Sequence, residues 1–412
     1  PPTYEEQRKW EAELPQHNLE LPFPEGRTGR YVKFSNQARF IGWNNCFNEE
    51  LMNLHLAYMS GRAYVFSEYV WAPQHYQWPD QQPEGGARTP LSAIVSGPLA
   101  GGPWAAGDPA PRSVSEAWFD VVCPPQSRRL IRTPDVKSLI RDAPGDALFA
   151  HWQQLLLHAP EGCIEIVPPP YEEDSFPQTF DLSLWGSTRI LALWDSFSTS
   201  PTSRLLGPSP IVLAALERNQ KLFLPRGSRA PTGPGAHDPL ARMLAVHIRR
   251  GDFLEHCRNL AGWGSSYYSW AQLAVLPDKF APAPADDPRR VEKALAHCLP
   301  EMPALVQLLR DARADYVRNG TARALDVIYL LTNEAGEWLD GFKVALRQDG
   351  WTTIVASPDL RLDAQQTDVS MAIDMEIARR AAVFVGNGWS SFTSNIIHQR
   401  LVDGREPISI RL

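Results

Sequence analysis

The sequence predicts an α/β protein with two domains that contain parallel sheets. Two domains are expected because 412 residues are too many for one ordinary core. After residue 240, helical segments alternate with short apolar runs, a pattern typical of parallel strands covered by helices. A stretch rich in Pro, Gly and Ser over 224–240 separates the two halves and predicts a linker.

The first half of the chain starts with a polar, charged segment, 1–26, which is predicted to be a tail or stalk. The residues that follow predict a strand over 30–34, a helix over 45–61 and a strand over 63–71. Residues 72–112 are rich in Pro, Gly and Ala and predict a long insertion loop. The other elements predicted here are helices over 147–158 and 212–224 and strands over 163–167 and 189–194.

The second half follows a more regular pattern of strands and helices. Its strands are expected over 243–248, 326–331, 352–356 and 382–385, and its helices over 303–317, 337–347, 369–380 and 390–401. The predicted domains are therefore 27–238 and 239–412, preceded by the tail.

Composition excludes some classes of protein. The formal net charge of −7 argues against a nucleic-acid-binding protein, which usually presents a basic face. The sequence also lacks an apolar run of about 18 residues, the length that a membrane-spanning helix needs. Any membrane attachment is therefore expected to come from a segment upstream of residue 1.

The five cysteines leave two interpretations open. None stands in a Cys-x-x-Cys pair, so a zinc ribbon is not expected and no metal site is predicted. The cysteines are either buried thiols or form one or two disulfides in a secretory compartment. The glycosylation sequon Asn319-Gly320-Thr321 favours the secretory compartment.

Polar residues follow each predicted strand of the second half, where ligands of open parallel sheets bind. The four strand ends are His247-Ile248-Arg249-Arg250-Gly251-Asp252, Thr332-Asn333-Glu334, Ser357-Pro358-Asp359 and Gly386-Asn387-Gly388-Trp389-Ser390-Ser391.

The first of these strand ends carries three side chains that can be cationic. His247 and Arg249 are two residues apart and share one face of the strand, with Arg250 opposite. Such groups need an anionic partner when they are buried, and the guanidinium fork matches phosphate oxygens. The alternative is a structural arginine paired with Asp252 or Glu255. We favour a phosphate site.

The last strand end complements the first. Gly386-Asn387-Gly388 predicts a sharp turn, and Ser390-Ser391 opens a helix. Backbone N–H groups at a helix start, with the helix dipole, attract anions. The alternative is a plain N-cap after a tight turn. Together with the arginines, the pattern favours phosphate binding.

A similar loop occurs in the first half, where Gly42-Trp43-Asn44-Asn45 lies between a predicted strand and helix. Glycine allows close approach of the backbone, and Asn offers both donors and acceptors to a ligand. The alternative is a turn with Asn44 as the helix N-cap.

Taken in order, these motifs resemble the GDP-fucose-dependent superfamily of protein O-fucosyltransferases and α-1,6-fucosyltransferases. The strand end HIRRGD is similar to its His-x-Arg-Arg motif, and the segment 374–393, with Gly-Asn-Gly-Trp-Ser-Ser-Phe-Thr, resembles its C-terminal donor motif. Arg30-Tyr31 followed by Gly-Trp-Asn-Asn resembles its N-terminal loop. The resemblance runs from residue 30 to about 400, except for residues 72–225, which match nothing in it.

The resemblance implies a GT-B arrangement, in which two Rossmann-like domains face each other across a cleft. It implies an inverting transfer of L-fucose from GDP-β-L-fucose to a hydroxyl of a protein or glycan, with GDP as product. It implies no metal and no cofactor. It also implies the lumen of the ER or Golgi as the location.

The resemblance also implies roles for particular residues. Arg249 is expected to hold the β-phosphate and stabilise the departing GDP, and His247 and Asp374 to recognise guanine or ribose. The other residues expected in the donor site are Arg250, Ser390, Ser391 and Phe392 in the second half and Trp43 and Asn45 in the first.

The catalytic base is left open. Asn44 matches the loop residue near the reacting sugar, and Asp252 and Glu255 are the acids nearest in sequence to the cationic strand end. Some relatives carry a Glu further along this loop, where this chain has Cys257.

Three other functions are weighed. A GT-B transferase could use another nucleotide sugar, because diphosphate-binding motifs do not identify the sugar. A non-catalytic glycan-binding protein could share the fold. A hydrolase would need two carboxylates placed on either side of a sugar, and the sequence shows no convincing pair.

Overall fold

The computed structural model describes residues 1–39, 41–225, 238–251, 253–318 and 325–412. Within them the chain forms two compact units. Unit 1 consists of Pro1–Leu213 with Ala364–Ala372, and unit 2 of Ala214–Asp363 with Ile373–Leu412. Most of the predicted linker and the predicted sequon lie outside the described residues. In the described part, no helix has the length and apolar character needed to cross a bilayer.

Unit 1 contains a parallel sheet with the strand order β3-β2-β1-β5-β4. The strands are β1 (Tyr31–Phe34), β2 (Ala63–Phe66), β3 (Val114–Ser115), β4 (Arg129–Arg132) and β5 (Cys163–Val167). Four helices of this part of the chain are α1 (Tyr4–Ala12), α2 (Trp43–Met59), α3 (Glu116–Val122) and α4 (Gly145–His158). Further helices span Leu91–Ile94, Thr133–Lys137, Leu182–Trp185, Trp194–Thr199, Pro201–Arg204, Pro210–Asn219 and Ala364–Asp368.

A buried arginine connects α4 to the start of β5. The guanidinium of Arg62 donates to the backbone oxygens of Leu156 at 2.9 Å, Ala159 at 2.9 Å and Glu161 at 2.9 Å. The last carbonyls of a helix have no partner within the helix, so these bonds satisfy groups that burial would otherwise penalise. They fix the turn that brings the chain back into the sheet beside β1.

Several predictions for unit 1 are wrong. Residues 1–26 begin with α1, which is packed rather than a free tail, because the Glu11 carboxylate accepts hydrogen bonds from the N–H and hydroxyl of Ser92 at 2.9 and 2.7 Å. The strand predicted over 189–194 is a 3₁₀ helix, Thr188–Leu193, in which Ile190 and Leu193, three residues apart, are buried. The strand predicted over 63–71 ends at Phe66, and Tyr69–Val70 is a separate strand that pairs antiparallel with Arg88–Thr89.

Unit 2 contains a parallel sheet with the order β8-β7-β6-β9-β10. Its strands are β6 (Met243–Ile248), β7 (Val327–Thr332), β8 (Thr353–Ala356), β9 (Val383–Val385) and β10 (Ile410–Arg411). The four strands predicted for the second half are confirmed. In sequence order this is the Rossmann arrangement 3-2-1-4-5, whose order reverses between β6 and β9.

Helices α5 to α10 complete this part of the chain, and buried aliphatic and aromatic side chains from both sheet and helices form the core of unit 2. They are α5 (Phe253–Trp263), α6 (Arg290–Cys298), α7 (Met302–Arg318), α8 (Glu337–Gln348), α9 (Ser370–Arg380) and α10 (Ser391–Val402). Helices α5 and α6 are not predicted from the sequence, whereas α7 to α10 are.

Disulfides decide between the two interpretations of the cysteines. Cys123 is bonded to Cys163 in unit 1, and Cys257 is bonded to Cys298 in unit 2. Cys46 is a buried thiol in α2. The second disulfide joins α5 to the C-terminal residue of α6.

Candidate functional site

The candidate site lies in unit 2, where the strand order reverses. Strands β6 and β9 are neighbours, and both end at the same edge of the sheet. The residues that follow them are 249–251 and 386–391. In open parallel sheets, ligands bind in the crevice beyond such a reversal. The structure therefore brings the first and last predicted strand ends together.

His247 is the residue of β6 that contacts the opposite side of this crevice. Its Nδ1 lies 3.1 Å from the Thr393 hydroxyl, and its ring meets the ring of Phe392 edge-on at 4.8 Å. Burial, and after it the charge of Arg249, lower the pKa of His247 to about 3. His247 is therefore neutral at physiological pH, and the strand end carries two cations rather than the three that the sequence allows.

Thr393 is a site residue that sequence reasoning did not single out. Its hydroxyl accepts a hydrogen bond from the Asn387 backbone N–H at 3.0 Å while it bonds to His247. The side chain is fully buried in the first turn of α10. It therefore connects β6 to the loop after β9.

Asn387 anchors this loop to α6. Its Nδ2 donates to the backbone oxygen of Cys298 at 2.7 Å, and its Oδ1 accepts from the Trp389 N–H at 3.1 Å. Since Cys298 is bonded to Cys257, the loop is fastened to a segment that a disulfide holds in place.

Packing explains the two glycines on either side of Asn387. A Cβ at Gly386 would lie 2.4 Å from Cγ2 of Thr393, and one at Gly388 would lie 2.3 Å from Cδ1 of Tyr267. Real Cβ atoms do not approach other atoms so closely. The glycines are needed for close approach, in addition to the turn that the sequence predicts.

Ser390 and Ser391 lie at the N-terminus of α10, as predicted. Ser390 is the N-cap residue, but its side chain makes no capping hydrogen bond. The first N–H groups of a helix have no partner within the helix and carry partial positive charge. This end of α10 can therefore attract an anion, and the plain N-cap interpretation loses its support.

Arg249 and Arg250 line a pocket beyond the end of β6. The guanidinium of Arg249 lies 5.3 Å from the ring centre of Phe253, and that of Arg250 lies 4.6 Å from the ring centre of Trp338. Arg250 also donates to the backbone oxygen of Pro300 at 3.2 Å. The pocket is completed by Ile248, Cys298, Leu299, Pro300, Leu305 and Asn387. Both arginines thus line the same pocket, although the strand pattern predicts opposite faces.

Asp374 lies on α9 beside the ends of β7 and β8. Its Oδ1 accepts from the Tyr329 hydroxyl at 2.5 Å, and its Oδ2 accepts from the Ser357 hydroxyl at 2.7 Å. Burial raises the pKa of Asp374 to about 6, against the opposing effect of these hydrogen bonds. The carboxylate is thus held at the ligand-binding edge of the sheet instead of being solvated on an exposed helix.

The candidate bases near β6 differ in their surroundings. Asp252 lies outside the described residues. Glu255 is exposed in the first turn of α5. Cys257, at the position where the resemblance would place a Glu in some relatives, is bonded to Cys298 and therefore cannot act as a base.

The N-terminal loop residues belong to unit 1. Trp43 is buried, with its ring stacked on Phe47 at 5.1 Å and edge-on to Tyr69 at 5.0 Å, so it is a core residue of that unit. Asn44 and Asn45 are half-buried in the first turn of α2. The alternative interpretation, with Asn44 as the helix N-cap, is wrong, because Gly42 is the N-cap residue.

Metal ligands were also considered. Within the described ranges, no group of three or more His, Cys, Asp or Glu side chains is placed to hold a metal ion.

Comparison with known proteins gives structural matches only. No family profile and no curated protein sequence matches the chain. A crystal structure of POFUT1 in complex with GDP-fucose is 15% identical, covers 90% of this chain and 94% of its own, and gives a TM-score of 0.50. NodZ alpha-1,6-fucosyltransferase soaked with GDP-fucose is 12% identical over 90% of this chain and 92% of its own, with a TM-score of 0.42. A mutant of Arabidopsis thaliana FUT1 in complex with GDP is 12% identical, covers 97% of this chain and 74% of its own, and gives a TM-score of 0.36.

The POFUT1 match shows that this chain has the same fold, a mixed α/β architecture with parallel sheets. The resemblance to fucosyltransferases that the sequence motifs indicate is therefore confirmed at the level of the fold.

Proposed function

We propose that this protein is an inverting fucosyltransferase that moves L-fucose from GDP-β-L-fucose to a hydroxyl of a protein or glycan without a metal ion. The observation that carries the proposal is the crevice between β6 and β9. There Arg249 and Arg250 line a pocket with Asn387, next to the helix start at Ser390. This arrangement suits a diphosphate.

The diphosphate end of the site explains how the bond to fucose breaks. As the bond between C1 and the β-phosphate oxygen lengthens, negative charge grows on that phosphate. The fixed charge of Arg249 and the N–H groups at the start of α10 stabilise the charge where it develops. Arg250, stacked on Trp338, adds a second positive charge to the same pocket.

The nucleoside end of the site uses neutral and acidic groups. His247 is uncharged and offers a ring nitrogen to ribose or guanine, and Phe392 flanks the base. The Asp374 oxygens each accept one hydrogen bond within the protein. A carboxylate oxygen has a second lone pair, so Asp374 can also accept the N1 and N2 hydrogens of guanine.

In this proposal the N-terminal half of the chain binds the acceptor. We assign residues 27–238 and 239–412 to two Rossmann-like domains of a GT-B enzyme. The likeness to POFUT1, which extends over 90% of this chain, supports this assignment. The two disulfides support a location in the oxidising lumen of the secretory pathway.

Turnover of GDP-fucose tests the proposal. The purified chain is incubated with GDP-fucose in a metal-free buffer, with water as the acceptor, and ¹H NMR follows the first anomer released. Inversion of the β-linked donor yields α-L-fucose and GDP. Release of β-L-fucose would contradict inversion. Turnover of UDP-glucose in place of GDP-fucose would favour a transferase with another donor.

A further inference from the structure

Two adjacent glutamates of α2, Glu49 and Glu50, are buried inside unit 1. The two residues are only 2% and 8% exposed, and the helix that carries them packs against β2 and α4. Glu49 Oε1 and Glu50 Oε2 have no hydrogen-bond partner in the structure. Buried carboxyl groups are normally hydrogen-bonded or paired with a cation, so this pair has a consequence for the stability of unit 1.

The hydrogen-bond donors around the pair are used in other contacts. Glu49 Oε2 accepts a hydrogen bond from the Ala38 N–H at 2.7 Å, which satisfies that oxygen only. The Tyr64 hydroxyl and the Nδ2 of Asn53 both donate to Gln37 Oε1, at 2.6 and 3.2 Å. The surroundings of the pair therefore supply acceptors and already committed donors.

The titratable groups that face the pair supply no counter-charge. They are Cys46 in α2, Tyr64 in β2, Arg39, Glu68 and Tyr69 in the segments that follow the strands, and Asp181 before the helix Leu182–Trp185. Burial raises the pKa of the thiol and of both tyrosine hydroxyls, so these groups stay neutral.

The cations of this region have other partners or are solvated. Arg8 is ion-paired with Glu68 at 2.6 Å, and Lys137 with Asp181 at 2.7 Å. Arg39 is exposed, and in the described part of the chain no Lys or Arg forms an ion pair with either buried glutamate. A carboxylate that is buried without a partner is costly, so the neutral form of both side chains is favoured in the fold.

The protonation equilibria of the pair follow from this environment. Burial raises the pKa of Glu50 from its ordinary value of 4.5 to about 8. Burial also raises the pKa of Glu49 well above its usual range, against the hydrogen bond from Ala38. In an opened chain both groups ionise near 4.5. The packing of α2 is therefore most favourable below this pH and loses stability as the pH rises to about 8.

We propose that Glu49 and Glu50 make the packing of α2 sensitive to pH, so that unit 1 stays closed in a mildly acidic medium and opens along α2 more readily as the medium becomes alkaline. Opening transfers both carboxyl groups to water, where they release their protons. Because α2 follows directly on Gly42, opening also displaces the loop at the start of the helix. The inference stands on unit 1 alone and does not depend on the proposed transfer reaction.

The buried thiol of Cys46 reports this opening, because it lies on α2 and the other four cysteines form disulfides. The full chain is treated with iodoacetamide at pH values from about 5 to about 9. The labelling rate is divided by the rate of the urea-unfolded chain at the same pH, which removes the pH dependence of the thiol itself. In the wild type this ratio is expected to rise up to a pH of about 8, by about tenfold per pH unit for each carboxyl group that ionises.

Replacement of the two glutamates by glutamine tests their role, because the amide has the size of the carboxyl group and no charge. Glu49→Gln and Glu50→Gln should each reduce the slope by about tenfold per pH unit, and the double variant should lose both contributions. Glu172→Gln, at an exposed position in unit 1, is the control and should keep the wild-type profile. Circular dichroism at a pH of about 5 reports whether each variant folds.

Two results would overturn the proposal. The first is a wild-type ratio that does not change between about pH 5 and 8, a test that needs no variant. The second is an equal slope in the wild type and the double variant, since the pH dependence would then come from other buried acids of unit 1, such as Glu11, whose pKa burial also raises.

Discussion

The two five-stranded sheets have the same order of their first three strands and differ in the order of their last two. In unit 1 the order is β3-β2-β1-β5-β4, whereas in unit 2 it is β8-β7-β6-β9-β10, so the last two strands are exchanged. Each sheet has a pocket beyond its carboxyl edge. The pocket of unit 2 contains Arg249 and Arg250, and that of unit 1 contains Glu50 and Glu68. The same kind of edge thus carries cationic groups in unit 2 and carboxyl groups in unit 1.

Burial shifts the pKa of one titratable group in or beside each pocket. It lowers the pKa of His247 to about 3 and raises the pKa of Glu50 to about 8, so the neutral form is favoured in each case. In unit 2 this leaves the arginines as the charged groups of the pocket, which we propose to bind the donor. In unit 1 it gives a carboxyl group that can exchange a proton. The predictions below test the donor-binding role proposed for unit 2.

The largest effect is expected from Arg249→Ala. Loss of the charge that stabilises the departing diphosphate should lower GDP release from GDP-fucose by about 100-fold or more. Arg258→Ala, at an exposed position in α5, is the control and should retain the wild-type rate. Full activity in Arg249→Ala would contradict the role proposed for the positive charge in the unit 2 pocket.

The disulfide of unit 2 should matter for the donor and that of unit 1 should not. The double variant Cys257→Ser and Cys298→Ser frees the end of α6 to which Asn387 is bonded, so GDP affinity should fall. The double variant Cys123→Ser and Cys163→Ser should leave GDP affinity unchanged. Each should lose about 2–5 kcal/mol of unfolding free energy in urea. Equal GDP affinities in the two variants would contradict the anchoring role.

Gly386→Ala tests the contact between β6 and α10. The added methyl group would press on Thr393, which should displace its hydroxyl from His247 and cost about 1–3 kcal/mol of stability. Gly341→Ala in α8 is the control, because its Cβ would meet only Met302 at 3.8 Å. That substitution should preserve or raise stability. Urea unfolding and GDP titration of both variants provide the measurement.

The smallest effect is expected from the titration of Asp374. With a pKa of about 6, the side chain is a carboxylate above this pH and protonated below it. In the proposed site the carboxylate recognises guanine, so GDP affinity should weaken as the pH falls below about 6, by up to about tenfold per pH unit. Asp374→Asn should bind GDP weakly at every pH. A wild-type affinity that does not change between pH 7 and about 5 would contradict this role.

The sequence predicts unit 2 better than unit 1 for a physical reason. Strands such as Val327–Thr332 are buried on both faces and read as continuous apolar runs. In unit 1, the edge strand Arg129–Arg132 buries only Ile131 and gives no such signal. The apolar segment 189–194 falsely indicates a strand, because its buried residues have the spacing of a helical turn.

The candidate site could be predicted only in part. The sequence identifies Arg249 and Arg250 as site residues, because cationic groups at the end of a buried strand need an anionic partner. The contacts of Thr393 and Asn387 escape prediction, since a polar residue near a helix start usually serves as an ordinary cap. The burial of Glu50 escapes it as well, because an acid on a helix is normally exposed. All three depend on contacts between segments distant in sequence.

Calorimetric titration of the purified chain with GDP, UDP and ADP in metal-free buffer tests the central claim most directly. The crevice between β6 and β9, with Arg249 for the diphosphate and Asp374 for guanine, predicts that GDP binds and that UDP and ADP bind much more weakly. Binding of none of the three would contradict the assignment of this crevice to a nucleoside diphosphate.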